Sequence, residues 1–322
     1  LKKYASSAAS NTWSRFLNTS TEHKPLEQKF INALRQCVGD LHVLTAVADC
    51  IAYGYDNSKL QHTPQIVVLP ETETQVETIV GLCHEFQVPL IARGRGTGTT
   101  GATVPTHGGM VLSFEQMNQI LEIDSDNRLA RVQPGVINQV LQDALAEKGF
   151  FWPPDPTSAA NCTIGGNLAY NSAGPRAVKY GTPRENTLGL TAIDGTGRKF
   201  HTGVKTTKGV VGYDLTRLLI GSEGTLAVIT EATLKLTPVA EAKRTMQASF
   251  DSVTAAAKAV SAVMAQPAVP CALEIMDEAA INMVRKFSDL GLADNIKAIL
   301  MIEADGSADS LGSEVTAIHK AC

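Results

Sequence analysis

Arg93-Gly94-Arg95-Gly96-Thr97-Gly98-Thr99-Thr100-Gly101-Ala102, continued by Thr103-Val104-Pro105-Thr106-His107-Gly108-Gly109, is the stretch on which the fold turns. It holds a GxGxxG at Gly96, Gly98 and Gly101, directly after VPLIA (88–92), which reads as a strand. In a Rossmann unit the third glycine opens a helix whose N-terminus meets the pyrophosphate. Pro105 and the Gly108-Gly109 pair forbid a helix here, so the nicotinamide reading fails. The loop still suits an anion. Four glycines in eight residues (94–101) allow positive φ and close backbone approach. Successive backbone N–H groups in such a turn form an anion-binding concavity. Thr97, Thr99, Thr100 and Thr103 add hydroxyls, and Arg93 adds charge. A plain flexible surface turn is the alternative for this loop taken alone.

The flanks set the fold class. LEQKFINALRQCV (26–38) reads as an amphipathic helix. IVVL (66–69) reads as a buried strand, followed by a helix from Thr72 to about Phe86 and then by VPLIA. A strand–helix–strand unit of this size favours a parallel pair. After the loop, 110–114, 119–124 and 128–133 read as strands. Residues 136–148 read as a helix closed by Gly149, 187–202 as two strands around Asp194-Gly195-Thr196-Gly197, and 225–237 as a long strand. Beyond Pro238 and Glu241–Arg244, strands (245–250, 271–276, 297–303) alternate with helices (252–265, 277–287, 308–320). That pattern implies an α+β layer with its helices on one face of a sheet and no closing strand.

Two more glycine-rich stretches point to a large ligand. Residues 152–175 read WPPDPTSAANCTIGGNLAYNSAGP. The prolines imply an extended approach, and Gly165 and Gly166 would admit a flat partner near the backbone. Ser158, Thr163, Asn167 and Asn171 supply polar groups. Gly221-Ser222-Glu223-Gly224-Thr225 turns the chain before the long strand. Three such turns with few charges fit a partly apolar dinucleotide with one anionic centre.

Other classes are set aside. The 322 residues suggest two domains, and a net charge of −4 without basic stripes argues against nucleic acid. The six cysteines show no CxxC and read as buried free thiols in a reducing compartment, and the seven histidines show no metal-ligand spacing. No metal site is expected from this chain's own residues, and no run is long enough to span a membrane. Lys2, Lys3 and Arg15 precede the first acidic residue, Glu22. The segment reads as an N-terminal arm with a faint likeness to a mitochondrial transit segment.

RGRGTGTTGA, PPDPTSAANCTIGGNLAYNSAGP, KYG (179–181) and GYDLTRLLIGSEGTLAVITEATL (212–234), in this order and spacing, resemble the FAD-linked oxidases of the vanillyl-alcohol oxidase superfamily, with its PCMH-type FAD-binding domain. Within it they resemble glycolate oxidase flavin subunits and D-lactate and D-2-hydroxyglutarate dehydrogenases. The match is strong over about 45–240 and weaker beyond, where it rests on ALEIMD (272–277) and IEADG (302–306). The resemblance implies an α+β chain in three parts. Residues 1–44 would be an arm and helix, 45–240 a two-lobed FAD-binding domain, and 241–322 the start of an incomplete substrate cap. FAD would be held by Arg93 to Thr100 (Arg93, Gly94, Arg95, Gly96, Thr97, Gly98, Thr99, Thr100). Pro154, Asp155, Ser158, Thr163, Gly165, Gly166, Asn167, Asn171 and Ala173 would line it, and Gly224, Val228 and Ile229 would meet its adenine or ring edge. Covalent relatives often carry a histidine where this chain has Thr97, so non-covalent FAD is expected.

The implied reaction oxidises a small D-2-hydroxy acid to the 2-oxo acid and passes electrons to a quinone, a cytochrome or an electron-transfer flavoprotein. The alternatives are a non-catalytic flavin-binding subunit and a non-redox FAD enzyme of the same fold. A dimer or a partner subunit is an open expectation. The compartment implied is the cytoplasm, at the periphery of the inner membrane, or the mitochondrial matrix in a eukaryote. The histidine-rich metal segment of similar enzymes has no counterpart before Cys322, so the catalytic base is unassigned and a divalent metal would be held by residues outside this chain. His319 reads as a surface or packing residue. Arg176, Lys179 and Arg184 read as ordinary solvated charges near the flavin motif.

Overall fold

The computed structural model describes residues 24–206, 208–287, 291, 293 and 295–322. The N-terminal segment with its transit-like composition lies outside them.

The first lobe is built on a four-stranded sheet. Helix α1 (Gln28–Val38) leads into β1 (Val43–Leu44), a short α2 (Val47–Cys50) and β2 (Ile66–Val68). Helix α3 (Glu73–Phe86) follows, then β3 (Leu90–Arg93) and β4 (Met110–Ser113). Thr72 opens α3 with a capping box, its hydroxyl accepting from Gln75 N–H while the Gln75 side chain accepts from the Thr72 N–H. The strand order is β1-β2-β4-β3, with β2 and β3 both parallel to β4. The parallel sense expected from the strand–helix–strand unit is present, but β2 and β3 are not partners: β4, the strand after the glycine loop, lies between them. Alternation explains the apolar runs. Ile66, Val68, Met110 and Leu112 enter the core with α1 and α3, while Val67 and Val111 enter a second cluster with Cys50 and Leu69 on the other face.

The second lobe is a five-stranded antiparallel sheet, β5-β6-β10-β8-β9, from β5 (Ile120–Asp124), β6 (Leu129–Val132), β8 (Thr187–Asp194), β9 (Lys199–Gly203) and β10 (Ala227–Lys235). Helix α4 (Asn138–Ala146), β7 (Phe150–Phe151), α5 (Ile164–Tyr170), α6 (Ala177–Tyr180) and α7 (Leu215–Leu219) fill its connections. Ala227 and Ile229 face the second lobe's core, whereas Val228 packs into the first. One strand therefore contributes to both lobes.

A short β11 (Thr237–Pro238), paired with β7, leads to a third layer. There β12 (Ala242–Phe250), β14 (Ala298–Gly306) and β13 (Ala272–Asp277) form an antiparallel sheet in the order β12-β14-β13. Helices α8 (Val253–Met264) and α10 (Ala308–Ala321) bury Ala256, Val263, Leu311 and Ile318 against Leu300 and Ile302, and α9 (Glu278–Arg285) follows β13. Among the described residues no helix is long and apolar enough to cross a membrane, and no cysteine is in a disulfide.

Side-chain hydrogen bonds that join this layer to residues before Pro238 converge, among the described residues, on Asp305. Lys179 Nζ donates to its carbonyl at 2.5 Å and to Oδ1 at 2.6 Å, and the Tyr180 hydroxyl donates to Oδ2 at 2.8 Å. Lys179 is thus engaged, not solvated. Arg176 Nε pairs with Asp155 at 3.2 Å and its guanidinium stacks over Phe151, and Arg184 donates to the Ile220 carbonyl. Burial pushes the Tyr180 hydroxyl upward, and the Asp305 carboxylate adds to that. Replacing Asp305 with Ala removes the carboxylate that faces a half-buried ammonium and leaves it only the backbone carbonyl. A loss of about 2 kcal/mol and faster cleavage after Lys243 and Arg244 are expected, measured by chemical denaturation and limited trypsin digestion.

Candidate functional site

A cavity of about 270 Å³ lies where the two lobes meet. Its walls are the glycine loop after β3, the N-terminal end of α5, the turn before β10 and the strand residues Ala227 and Ile229. No helix forms between Gly94 and Gly109, as Pro105 and the glycine pair dictate.

The loop is braced from behind. Asp56, buried, accepts the Gly101 N–H on Oδ2 at 3.0 Å and binds the Ser58 N–H and hydroxyl with Oδ1. Asn57 donates its backbone N–H to the Gly98 carbonyl at 2.9 Å and its side-chain amide to the Thr97 carbonyl at 3.2 Å. The guanidinium of Arg93, only 6% exposed, donates to Thr103 Oγ1 and the Ala52 carbonyl. Burial pulls this guanidinium below its usual range, and the negative charge of Asp56, first among several, pulls it back. Loop carbonyls are thereby taken from the outer side. Among the described residues no protein acceptor takes the N–H of any residue from Gly94 to Thr100, while Gly101 and Ala102 are both bonded. Seven consecutive free amides, six of them on residues that line the cavity, form a cradle for an anion with several oxygens.

Glycine is needed at defined points. At Gly96 φ is +66°, and a Cβ would lie 2.3 Å from Arg93 Nη2; at Gly94 it would lie 2.3 Å from Thr163 Oγ1. Gly165 has another cause than expected. A Cβ there would lie 2.6 Å from Pro134 Cβ, so the residue is small to let α5 pack on Pro134 rather than to admit a flat ligand.

The 152–175 stretch, whose prolines imply an extended approach, also contains α5. The stretch begins with the prolines, but Thr163 caps a seven-residue helix, its hydroxyl accepting from Gly166 N–H. The donors of that first turn are occupied: Ile164 N–H binds the Val136 carbonyl, Gly165 N–H the Pro134 carbonyl, and Asn167 N–H the Thr163 carbonyl. The free N–H groups therefore belong to the glycine loop and not to the helix end. Behind α5 a buried amide network holds the stretch in place. Asn138 Nδ2 donates to the Pro154 carbonyl at 3.1 Å and to Asn167 Oδ1 at 2.9 Å, and Asn167 Nδ2 donates to Ser172 Oγ at 3.0 Å. Gln142 binds both the N–H and carbonyl of Trp152, whose indole N–H reaches the Asn186 carbonyl at 2.9 Å.

Of the residues named from sequence, Arg93, Gly94, Arg95, Gly96, Thr97, Gly98, Thr99, Ser158, Thr163, Gly165, Gly166, Asn167, Gly224 and Ile229 line this cavity. Thr100, Pro154, Asp155, Asn171, Ala173 and Val228 do not. Thr100 bonds to Glu223 at the rim. Pro154 and Asp155 lie behind, in the amide network and the Arg176 pair, and burial raises the Asp155 carboxyl against the lowering effect of Arg176. Asn171 takes the left-handed conformation that ends α5, and Val228 points into the other core by strand alternation. Unforeseen contributors are Asp56, Asn57 and Asn138, together with Phe114, Pro134, Tyr170 and Glu223 on the wall itself. The bracing contacts span 16 to 45 residues of sequence and carry no local signature. The opposite wall (Ala92, Phe114, Pro134, Ala227, Ile229) is apolar. Donors on one side and apolar surface on the other fit a dinucleotide with a flat ring system.

Residues 64–203 match the FAD binding domain family, and residues 239–322 match the C-terminal domain of FAD linked oxidases. Over 273 residues the chain is 42% identical to the glycolate oxidase subunit GlcD of Bacillus subtilis, covering 84% of this chain and 58% of that protein. It is 38% identical to the Escherichia coli K12 subunit of the same name (85% and 55% covered) and 40% identical to a D-lactate dehydrogenase of Archaeoglobus fulgidus (74% and 54% covered). The chain thus spans little more than half the length of these relatives. In fold it is similar to an alkyldihydroxyacetonephosphate synthase (TM-score 0.80, 21% identity, 95% of this chain and 62% of that one). It is likewise similar to p-cresol methylhydroxylase with substrate bound (TM-score 0.75, 17% identity, 93% and 65%). Gly96→Ala should weaken FAD binding by at least about tenfold, because the side chain meets both a left-handed backbone and the Arg93 fork. Flavin titration, with circular dichroism to verify the fold, measures this.

Proposed function

Because the chain belongs to the FAD-linked oxidases, carrying their FAD binding and C-terminal domains, we propose that it forms the cofactor-holding part of an enzyme that oxidises a small D-2-hydroxy acid to the 2-oxo acid. The observation that carries this reading is the run of unpaired amides from Gly94 to Thr100, in a chain whose sequence relatives bear the names glycolate oxidase subunit and D-lactate dehydrogenase. Bound FAD supplies the two-electron acceptor that carbinol oxidation requires.

The chain's own residues have three tasks. The amides of the loop, with Thr97 beside them, hold the diphosphate. Ser158, Thr163, Gly166 and Asn167 line the remainder of the cofactor, and the Asn138–Asn167 pair keeps that wall in register. Ala92, Phe114 and Ile229 exclude water from the apolar side. FAD is bound non-covalently in this reading, because Thr97 stands where covalent relatives often carry a histidine. Residues 45–240 form the FAD-binding domain in this reading, and 241–322 begin the substrate cap. Among the described residues no group of three His, Cys, Asp or Glu side chains could hold a metal. This reading assigns none of these residues as the base that takes the hydroxyl proton or as the cation that meets the substrate carboxylate. The acceptor of the electrons is a quinone, a cytochrome or an electron-transfer flavoprotein, and the word subunit in the relatives' names supports a partner chain.

The likeness to the synthase stands at 21% identity and concerns the fold alone. FAD-loaded full-length protein, mixed anaerobically with glycolate, D-lactate and D-2-hydroxyglutarate in turn, should lose its visible flavin absorbance with at least one of them. Persistence of that absorbance with all three, while dithionite removes it, would exclude the proposed reaction.

A further inference from the structure

Two hydrogen bonds cross the mouth of the cavity. Thr99 Oγ1 and the Tyr170 hydroxyl are 3.0 Å apart, and Thr100 Oγ1 donates to Glu223 Oε1 at 3.3 Å. Each joins the outer end of the glycine loop to the opposite rim. That rim is one unit. Glu223 N–H donates to the Ala169 carbonyl at 2.8 Å, and Gly221 N–H donates to the Leu168 carbonyl at 2.9 Å, so the turn and the end of α5 are bonded together. The Tyr170 ring also lies over Gly98, where a Cβ would come within 3.6 Å of it. Glu223 occupies a left-handed backbone (φ 52°), unusual for a side chain without an amide, and its carboxylate sits on the rim of an anion cradle. Electrostatics alone would disfavour an acid there. Its bond to Thr100 gives the acid a use.

We infer that Tyr170 and Glu223 are cofactor-retaining residues: through Thr99 and Thr100 they hold the outer end of the glycine loop across the cavity mouth, and FAD leaves only when both bonds open. A loop with four glycines loses much backbone entropy when it settles around a diphosphate. Ties that hold it in the binding shape reduce that loss and slow release. The inference rests on the cofactor reading and is independent of the substrate.

The test is the release rate of FAD from the loaded full chain, followed by the rise of free-flavin fluorescence after dilution. Tyr170→Phe and Thr99→Val should each release FAD about fivefold faster, the factor that one neutral hydrogen bond of ordinary net strength supports. The double variant should be no faster than either single one, since both remove the same bond. Glu223→Ala should also release faster, whereas Glu223→Gln, which keeps the acceptor and removes the charge, should hold FAD at least as long as the parent. Release from Tyr170→Phe at the parent rate, or additive effects in the double variant, overturns the inference. If Tyr170→Phe does not fold by circular dichroism, Thr99→Val, at an exposed site, and the Glu223 pair decide in the same way. A parent protein that takes up no FAD would defeat the cofactor reading itself, a distinct result.

Discussion

The structure depends on a backbone constraint: seven successive N–H groups, Gly94 to Thr100, are kept from every protein acceptor among the described residues. Leaving such donors without a partner costs free energy, so a chain that does so needs a compensating ligand or water. The shape cannot come from the loop's own preferences, because glycine has few. It comes from contacts behind it. Asp56 and Asn57 hold Gly101, Gly98 and Thr97, and the guanidinium of Arg93 fills the space beneath Gly96. Asp56 and Arg93 are buried charges, and their hydrogen bonds to the loop and to Ala52, with the attraction between them, offset that burial. The result is a preorganised donor array facing an apolar wall.

Placement of this array follows from the two lobes. The parallel sheet delivers the loop at the end of β3, and β4 returns the chain beside it, so both ends are fixed by strand pairing. The antiparallel sheet delivers the opposite wall through β10. Its alternation sends Ala227 and Ile229 to the cavity side and Val228 to the first lobe's core. A shift of one residue in that strand would exchange the two faces and lose the wall. The third layer is coupled through Asp305 to α6, and α6 is coupled through Arg176 and Asp155 to the Pro154 segment that the amide network anchors.

Much of this is legible in the chain. Strand alternation and helical period place most elements, and Pro105 with Gly108 and Gly109 decides against a helix after the loop. The motifs in order carry the family. What is not legible has a physical reason in each case. The insertion of β4 between β2 and β3 is a pairing choice that a βαβ-sized unit leaves open. Helix α5 hides in a stretch rich in Gly and Asn, where propensity opposes a helix and the Thr163 cap with packing on Pro134 overrides it. Lys179 looks like a solvated charge until the fold brings Asp305 to it from 126 residues away. Asp56 and Asn138 are likewise single polar residues whose partners lie far along the chain.

The most direct measurement is amide hydrogen exchange at Gly94 to Thr100, with and without FAD. With the nucleotide absent these amides should exchange rapidly, and with FAD bound they should become protected as a block while Gly101, already bonded to Asp56, changes little. Rapid exchange of the same amides in the FAD complex would mean that the diphosphate lies elsewhere, and the assignment of the cradle would fail.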